Sequence, residues 1–305
     1  MPAAADPLPD ACSTLAAAAR EPLAGTAVTD ARWLLLEQPG PWAPKVPRGS
    51  DLDDEIAAAL AERCDALGIR VGLLRRSTAR AADAPRVCFL ASTARGAAFL
   101  ERHTLADPAA MLDLDLDALA AGRPTDPAAL WDGPLYAVCT HGERDPCCAR
   151  LGRPLHRALC AARPDATWQT SHLGGHRFAP TMLHLPSGMS LGRVPAARAR
   201  PIAELLEARR IPLGLLRGRA GDPPVVQAAD CLVRLRTGLD GFDDVEVLEV
   251  DGDVVTLRAA GDVLRATVGR RTLPLPRPAS CGKADEPADE PFLVALEAVA
   301  TSGAA

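Results

Sequence analysis

What the chain lacks narrows the field first. Asparagine is absent, and lysine occurs only as Lys45 and Lys283, so nearly every basic residue is arginine. With abundant alanine and 28 prolines, this pattern reads as a coding bias toward GC-rich codons, not as a phosphate-binding signal. The formal net charge of −5 gives no general electrostatic case for nucleic acid. No apolar run approaches the ~18 residues of a membrane-spanning helix. The opening "MPAAADPLPDACSTLAAAAR" has neither a basic start nor a long apolar stretch. No secretory signal is therefore expected, and the cytoplasm is the expected location. Neither a P-loop nor a dinucleotide fingerprint occurs. Nor does C-x-x-C, which removes the simplest zinc knuckle and the simplest dithiol motif.

What is present describes a folded chain with chemistry concentrated in one place. At 305 residues, 48% hydrophobic and 24% charged, it reads as globular and too long for one small core. Nine cysteines are an odd number, and in this context a disulfide framework is not expected. Local cysteine clusters are then candidates for metal or redox chemistry.

The patterning predicts an α/β fold. "ARWLLLEQPG" is a buried strand stopped by Pro-Gly, and "SDLDDEIAAALAERCDALG" is a helix that Ser50 can cap. "IRVGLLRR", "PRVCFLAS" and "GAAFLERHTL" are strands, and "DLDALAAG" is a short helix. The order then repeats about a hundred residues later. "GPLYAVCT" is a strand, and "CARLGRPLHRALCAA" is a helix whose first turn Gly152 and Pro154 weaken. "ATWQTSH", "APTMLHLP" and "MSLGRV" are strands, and a helix starts near Pro201. The expected division is an N-terminal α/β domain (1–128), a second domain of the same fold (129–215) and a C-terminal region (216–305). That last region reads as a helix over 223–238, a β-meander with an Asp-Gly turn, a polar flexible tail, and a short helix in "FLVALEAVA".

The chemistry gathers in two segments. In "CTHGERDPCCARLG", Cys139 and Cys148 are separated by eight residues, with Cys147 beside the second. In "SHLGGHRFAP", His172 and His176 flank a Gly-Gly pair. Two adjacent glycines argue against a helical i, i+4 histidine pair, since each costs about 0.8–1 kcal/mol against alanine in a helix. They suit a loop that lets the backbone approach a bulky group. One helix and one strand separate the segments, so both should reach the same end of a sheet as a Cys2His2 set. The strand pair "FAPTMLHLPSGMSLGRV" followed by a helix resembles the closing unit of thioredoxin-like proteins, which makes Pro180 a cis-proline candidate.

These segments resemble the sucrase/ferredoxin-like family. "EPLAGTA", "WLLLEQPGPW", the "RG" and "QAAD" of the 217–230 region and "SCGK" extend the resemblance over most of the chain. It implies one or two thioredoxin-like domains and a [2Fe–2S] cluster held by Cys139, Cys148, His172 and His176, with Cys147 a neighbour only. It also implies an electron carrier that needs a separate reductase or acceptor protein. Despite the family's name, no carboxylate pair stands out for glycoside hydrolysis. Two thiolates and two neutral imidazoles should raise the potential, as in Rieske centres. Protonation at the outer histidine nitrogens would make electron transfer pH-dependent.

Two other readings of the residues stay open. One is a structural Zn2+ site on the same four ligands, although the spacing is long for zinc. The other is a thiol redox enzyme using Cys147 and Cys148 at a helix N-terminus. Arg177, beside a ligand, is the best candidate for tuning the site; His141 and Arg144 read as loop polarity. Trp168, His103, His156 and His184 are expected in structural roles. Cys12, Cys64, Cys88, Cys160 and Cys231 are expected as small buried residues, and Cys281 as a thiol in the polar tail.

Overall fold

The structure is a computed structural model that describes residues 8–76 and 84–299. A short helix, α1 (Cys12–Ala18), precedes the first strand. Strand β1 (Arg32–Glu37) is buried at every position but its first, as a strand inside a covered sheet must be. Helix α2 (Asp54–Ala66) is capped by Asp53, not Ser50: the carboxylate accepts from the amides of Glu55 at 2.9 Å and Ile56 at 3.1 Å. A carboxylate there also meets the positive end of the helix dipole. Ser50 instead accepts from the Ala43 amide at 3.1 Å. Strand β2 (Arg70–Arg75) lies parallel to β1. Strands β3 (Arg86–Ser92) and β4 (Phe99–Leu105) follow antiparallel, then helix α3 (Leu116–Ala120).

The second half runs the same way. Strand β5 (Leu135–Cys139) leads to helix α4 (Pro146–Ala162) and to the parallel strand β6 (Thr167–Thr170). Strands β7 (Met182–Leu185) and β8 (Met189–Leu191) are antiparallel, and helix α5 (Ala199–Glu207) follows. The Ala179–Pro180 bond is cis. Strand β9 (Leu216–Arg219) adds to the edge, giving one nine-stranded sheet in the order β4-β3-β1-β2-β6-β5-β7-β8-β9. The sheet thus runs across residue 128. Its seam is the antiparallel pairing of β2 with β6, Leu74 opposite Thr170 and Arg75 opposite Gln169.

Three cores serve this sheet. Leu34 and Leu36 of β1 face α2, and Tyr136 and Val138 of β5 face α4 and α5. The alternate residues, Trp33 and Leu35 with Leu135, Ala137 and Cys139, share one core because the sheet curls on itself. Phe89 meets Trp168 edge-on there, with ring centroids 5.7 Å apart. Cys139 and Cys148 belong to this shared core, so both halves enclose them.

Helix α6 (Pro224–Thr237) packs between β9 and a four-stranded antiparallel sheet. That sheet contains β10 (Val245–Asp251), β11 (Val254–Ala259), β12 (Asp262–Thr272) and, beyond two short strands, β15 (Asp289–Ala298). The segment expected as a terminal helix is therefore a strand through Ala298. Its apolar run is too short for periodicity to decide, and the open edge of β12 recruits it, with Leu293 opposite Val268. The segment expected as a flexible tail forms the paired strands β13 (Arg277–Pro278) and β14 (Asp285–Glu286). Within α6, Gln227 accepts from the Ala27 amide at 2.9 Å, and Asp230 pairs with Arg234 at 2.7 Å, both charges buried. The "QAAD" segment thus ties α6 to the start of the sheet.

Candidate metal centre

The parallel strands β5 and β6 end side by side, so the loops that leave them meet at one end of the sheet. The first loop runs from Cys139 to α4, which Asp145 caps by accepting from the Cys147 amide at 2.9 Å. Pro146 fills the first helical position, so the helix begins before the cysteine doublet and not at its second cysteine. Cys147 and Cys148 both lie in its first turn, where the amide ends favour thiolate; at Cys148 the hydrogen bond to Cys139 and burial outweigh this and push the thiol well above its ordinary range. Gly152 lies one turn on. A Cβ there would fall 2.0 Å from the Cys139 carbonyl oxygen, so only glycine lets the helix press against the end of β5.

The second loop, 171–176, is pinned from several sides. The Ser171 hydroxyl accepts from the Leu73 amide of β2 at 2.9 Å. Arg70 donates to the His172 carbonyl at 2.8 Å while pairing with Asp30 at 2.7 Å. Arg217, fully buried, donates to the Gly174 carbonyl at 3.1 Å and also to the hydroxyl and carbonyl of Thr26. Gly175 has φ +67°, and a Cβ on it would sit 2.3 Å from the Arg217 guanidinium. The Gly-Gly pair is a loop, and part of the room it leaves is filled by arginine.

These loops bring Cys139, Cys148 and His172 together, with ligand atoms all within 4.8 Å of one another. His176 stands beside this group, its ring centroid 5.0 Å from that of His172. Its Nε2 lies 3.9 Å from Asp145. The Nδ1 atoms of both histidines are buried and have no hydrogen-bond partner, which fits a metal-bound nitrogen. The Cys139 thiol is pulled well below its ordinary range, first by a hydrogen bond from Cys148 and then by His172, against the cost of burial. Burial pushes the His176 imidazole down, so it is held neutral, the form that ligates. A cleft of about 660 Å³ opens beside His172 and His141, lined by Lys45, Arg48, Arg70 and Arg144 among others.

Neighbouring residues divide differently from the expectation. Arg177 pairs with buried Glu21 at 2.9 Å, and Arg277 binds the same carboxylate, so it anchors the N-terminal segment. His141 is buried edge-on against Trp42, centroids 5.8 Å apart, while Arg144 is exposed on the cleft. Trp168 is in the core. His184 and His156 are each pushed down to about 4 by burial, as structural histidines held neutral. His103 hydrogen-bonds Glu101 at 3.1 Å.

Arg217 and a second thiol group went unread in the sequence. Burial lowers the Arg217 guanidinium to about 9, with Arg177 adding to the drop and Cys139 and Cys148 opposing it. Cys12, Cys147 and Cys281 meet with Asp145, all four ligand atoms within 4.8 Å. The Cys147 thiol is lowered to about 6, chiefly by a hydrogen bond from Cys12. Burial opposes charge on Asp145, yet the amides of Cys281 and Cys147 and the Ser280 hydroxyl keep its carboxyl below the usual range. Asp-Pro ahead of the doublet was the available signal, as a helix-capping pair. Cys12 and Cys281 carry no spacing pattern that could have linked them.

No helix among the described residues is long and apolar enough to cross a membrane. No curated protein and no solved structure matches the chain. A family model described as sucrase/ferredoxin-like matches residues 23–218, from just after α1 into β9. With well over half of its length covered by that model, the chain belongs to the sucrase/ferredoxin-like family.

Proposed function

We propose that the protein is an electron carrier whose [2Fe–2S] cluster is held by Cys139, Cys148, His172 and His176. The observation that carries this reading is the meeting of two buried thiols and a histidine within 4.8 Å, beside a second histidine, both imidazoles having a buried and unpartnered Nδ1. When bound, such a cluster accepts one electron and passes it on. The chain's own residues set the terms. Cys139 and Cys148 supply sulfurs from the enclosed shared core, and His172 and His176 supply imidazole nitrogens from the loop nearer the surface. This donor set carries less negative charge than four thiolates. It favours a potential in the range of about −150 to +300 mV seen for Rieske centres over the roughly −400 mV of plant-type ferredoxins. The arginines fix the loop: Arg70 and Arg217 hold its carbonyls, so the imidazoles need little reorganisation between redox states.

A proton held at the outer nitrogen of a ligand histidine would couple to the electron. The cleft beside His172, with Lys45, Arg48, Arg70 and Arg144 set against Asp30 and Asp65 on its walls, keeps an excess of positive charge that suits an acidic redox partner. The two halves, which share strand order and connection, are read as tandem thioredoxin-like units, the second carrying the ligands. Dithiol exchange between Cys147 and Cys148 is disfavoured, because the two thiols turn into different clusters. Zinc on the Cys2His2 set remains the competing occupant.

Iron content, colour and the EPR signal of the reduced protein, purified without oxygen, test the reading. Iron with a [2Fe–2S] signal in the native chain, lost in Cys139→Ser and shifted in His172→Cys, is the expected result. Colourless protein holding zinc at this site would overturn it. A midpoint potential constant between about pH 6 and pH 10 would remove the proton coupling alone.

A further inference from the structure

We infer that Cys12, Cys147 and Cys281 form a second metal site, a three-thiolate zinc site closed by Asp145, at the α4 N-terminus and next to the proposed cluster, whose His176 stands 3.9 Å from Asp145. The geometry carries this. The three sulfurs form a nearly equilateral triangle, with Cys12–Cys147 at 3.6 Å, Cys147–Cys281 at 3.3 Å and Cys281–Cys12 at 3.6 Å. Thiolates about 2.3 Å from a tetrahedral zinc stand about 3.8 Å apart, so the triangle is close to one face of that tetrahedron. The Asp145 oxygens lie 3.8 and 3.7 Å from the Cys12 sulfur, near the spacing of a sulfur and an oxygen on one zinc. A hard carboxylate in the fourth place favours zinc over cuprous ion, which prefers sulfur alone.

The surroundings are built for thiolates. The Ser13 hydroxyl donates to the Cys147 sulfur at 3.2 Å, and the Cys12 amide to the Cys281 sulfur at 3.5 Å. The carboxylate of Asp145 is aimed by the Ser280 hydroxyl and the Cys281 amide, both at 2.9 Å, and by the Cys147 amide. These donors leave Oδ1 with a free lone pair. The sulfurs come from three distant parts of the chain, the first helix, the start of α4 and the segment after β13. Binding exchanges thiol protons for the metal and involves no electron transfer. Zinc would thus clip both ends of the chain onto the helix that carries Cys148. Cys12 and Cys281 lie outside the segment the family model matches.

The test uses the full chain, purified under reductant, with zinc and iron measured together. The expected result is zinc in the native protein that disappears in Cys281→Ser and in Cys12→Ser while iron stays. Cobalt added in place of zinc should give thiolate-to-metal absorption that the same substitutions abolish. A readout on the unaltered chain guards against misfolded variants: zinc should protect Cys12 and Cys281 from alkylation, and a chelator should expose them. Zinc content unchanged in both folded variants, alkylation of Cys281 indifferent to zinc, or a disulfide among the three in reduced protein would each overturn the inference. Missing iron with zinc retained would count against the cluster and leave this site standing.

Discussion

The two halves of the nine-stranded sheet share a plan and divide the work. Each opens with a strand, crosses through a helix to a parallel neighbour, and adds an antiparallel pair, β2-β1-β3-β4 in one and β6-β5-β7-β8 in the other. In the second half, the β5–α4 connection ends in a capped cysteine doublet. In the first, β1 runs into "QPGPW", and the helix opens on Asp53, Asp54 and Glu55. Its cysteines, Cys64 and Cys88, are buried in the core that faces α2, where burial raises both thiols, Cys64 to about 11. Yet the first half is not idle at the site. Arg70 and Leu73 hold the histidine loop, and Trp42 backs His141. Shared topology therefore says where a site can be, and a few residues at two strand ends decide which half has it.

Several substitutions would break or sharpen that contrast. Cys139→Ser should remove nearly all bound iron, whereas Cys64→Ser in the first half should leave iron content unchanged; metal analysis of both reads the result. Acid sensitivity should also reside in the second half. His184 has its pKa lowered from 6.5 to about 4 by burial, so the folded state favours the neutral ring. Its contribution, on the order of 3 kcal/mol, is complete above about pH 6.5 and is lost as pH falls toward about 4. Denaturant titrations across that window should show a shallower loss in His184→Phe than in the native chain, while Cys88→Ala should keep the native slope.

Arg217→Met should cost about 2–3 kcal/mol, since buried carbonyls of Thr26 and Gly174 lose their donor. Lysine should not restore it, because the loop uses the guanidinium fork. The smallest contrast compares two glycines of like backbone. Gly68 ends α2 with φ +65° and open space around it, while Gly175 has φ +67° and Arg217 against it. Gly68→Ala should cost about 1 kcal/mol and Gly175→Ala about 2 kcal/mol or more by thermal unfolding. Equal costs would mean that the guanidinium yields freely.

Much of this was legible in the chain. The strands of the sheet read from continuous apolar runs, and the two loops of the candidate site from C-x8-C and H-x-G-G-H, because local residue types set both. What escaped depends on distant parts meeting. Cys12, Cys147 and Cys281 are joined only by tertiary folding. Strand β15 looked helical because its partner edge, β12, lies outside its own sequence. Arg217 looked like one arginine among many, and only its burial behind Gly174 and Gly175 marks it out.

Gly152 has a consequence beyond close packing. It stands four residues after Cys148, so the two share one face of α4, the face turned to Cys139. One contributes sulfur and the other contributes vacancy. The missing side chain acts as a spacer gauge: it sets how far the helix stands from the strand, and hence how far apart the two thiols are. Any atom added there would move the helix as a rigid rod and carry Cys148 away with it. The spacing of the two thiols is fixed one turn beyond Cys148, where the helix rests on the Cys139 carbonyl, by a residue with no chemistry of its own.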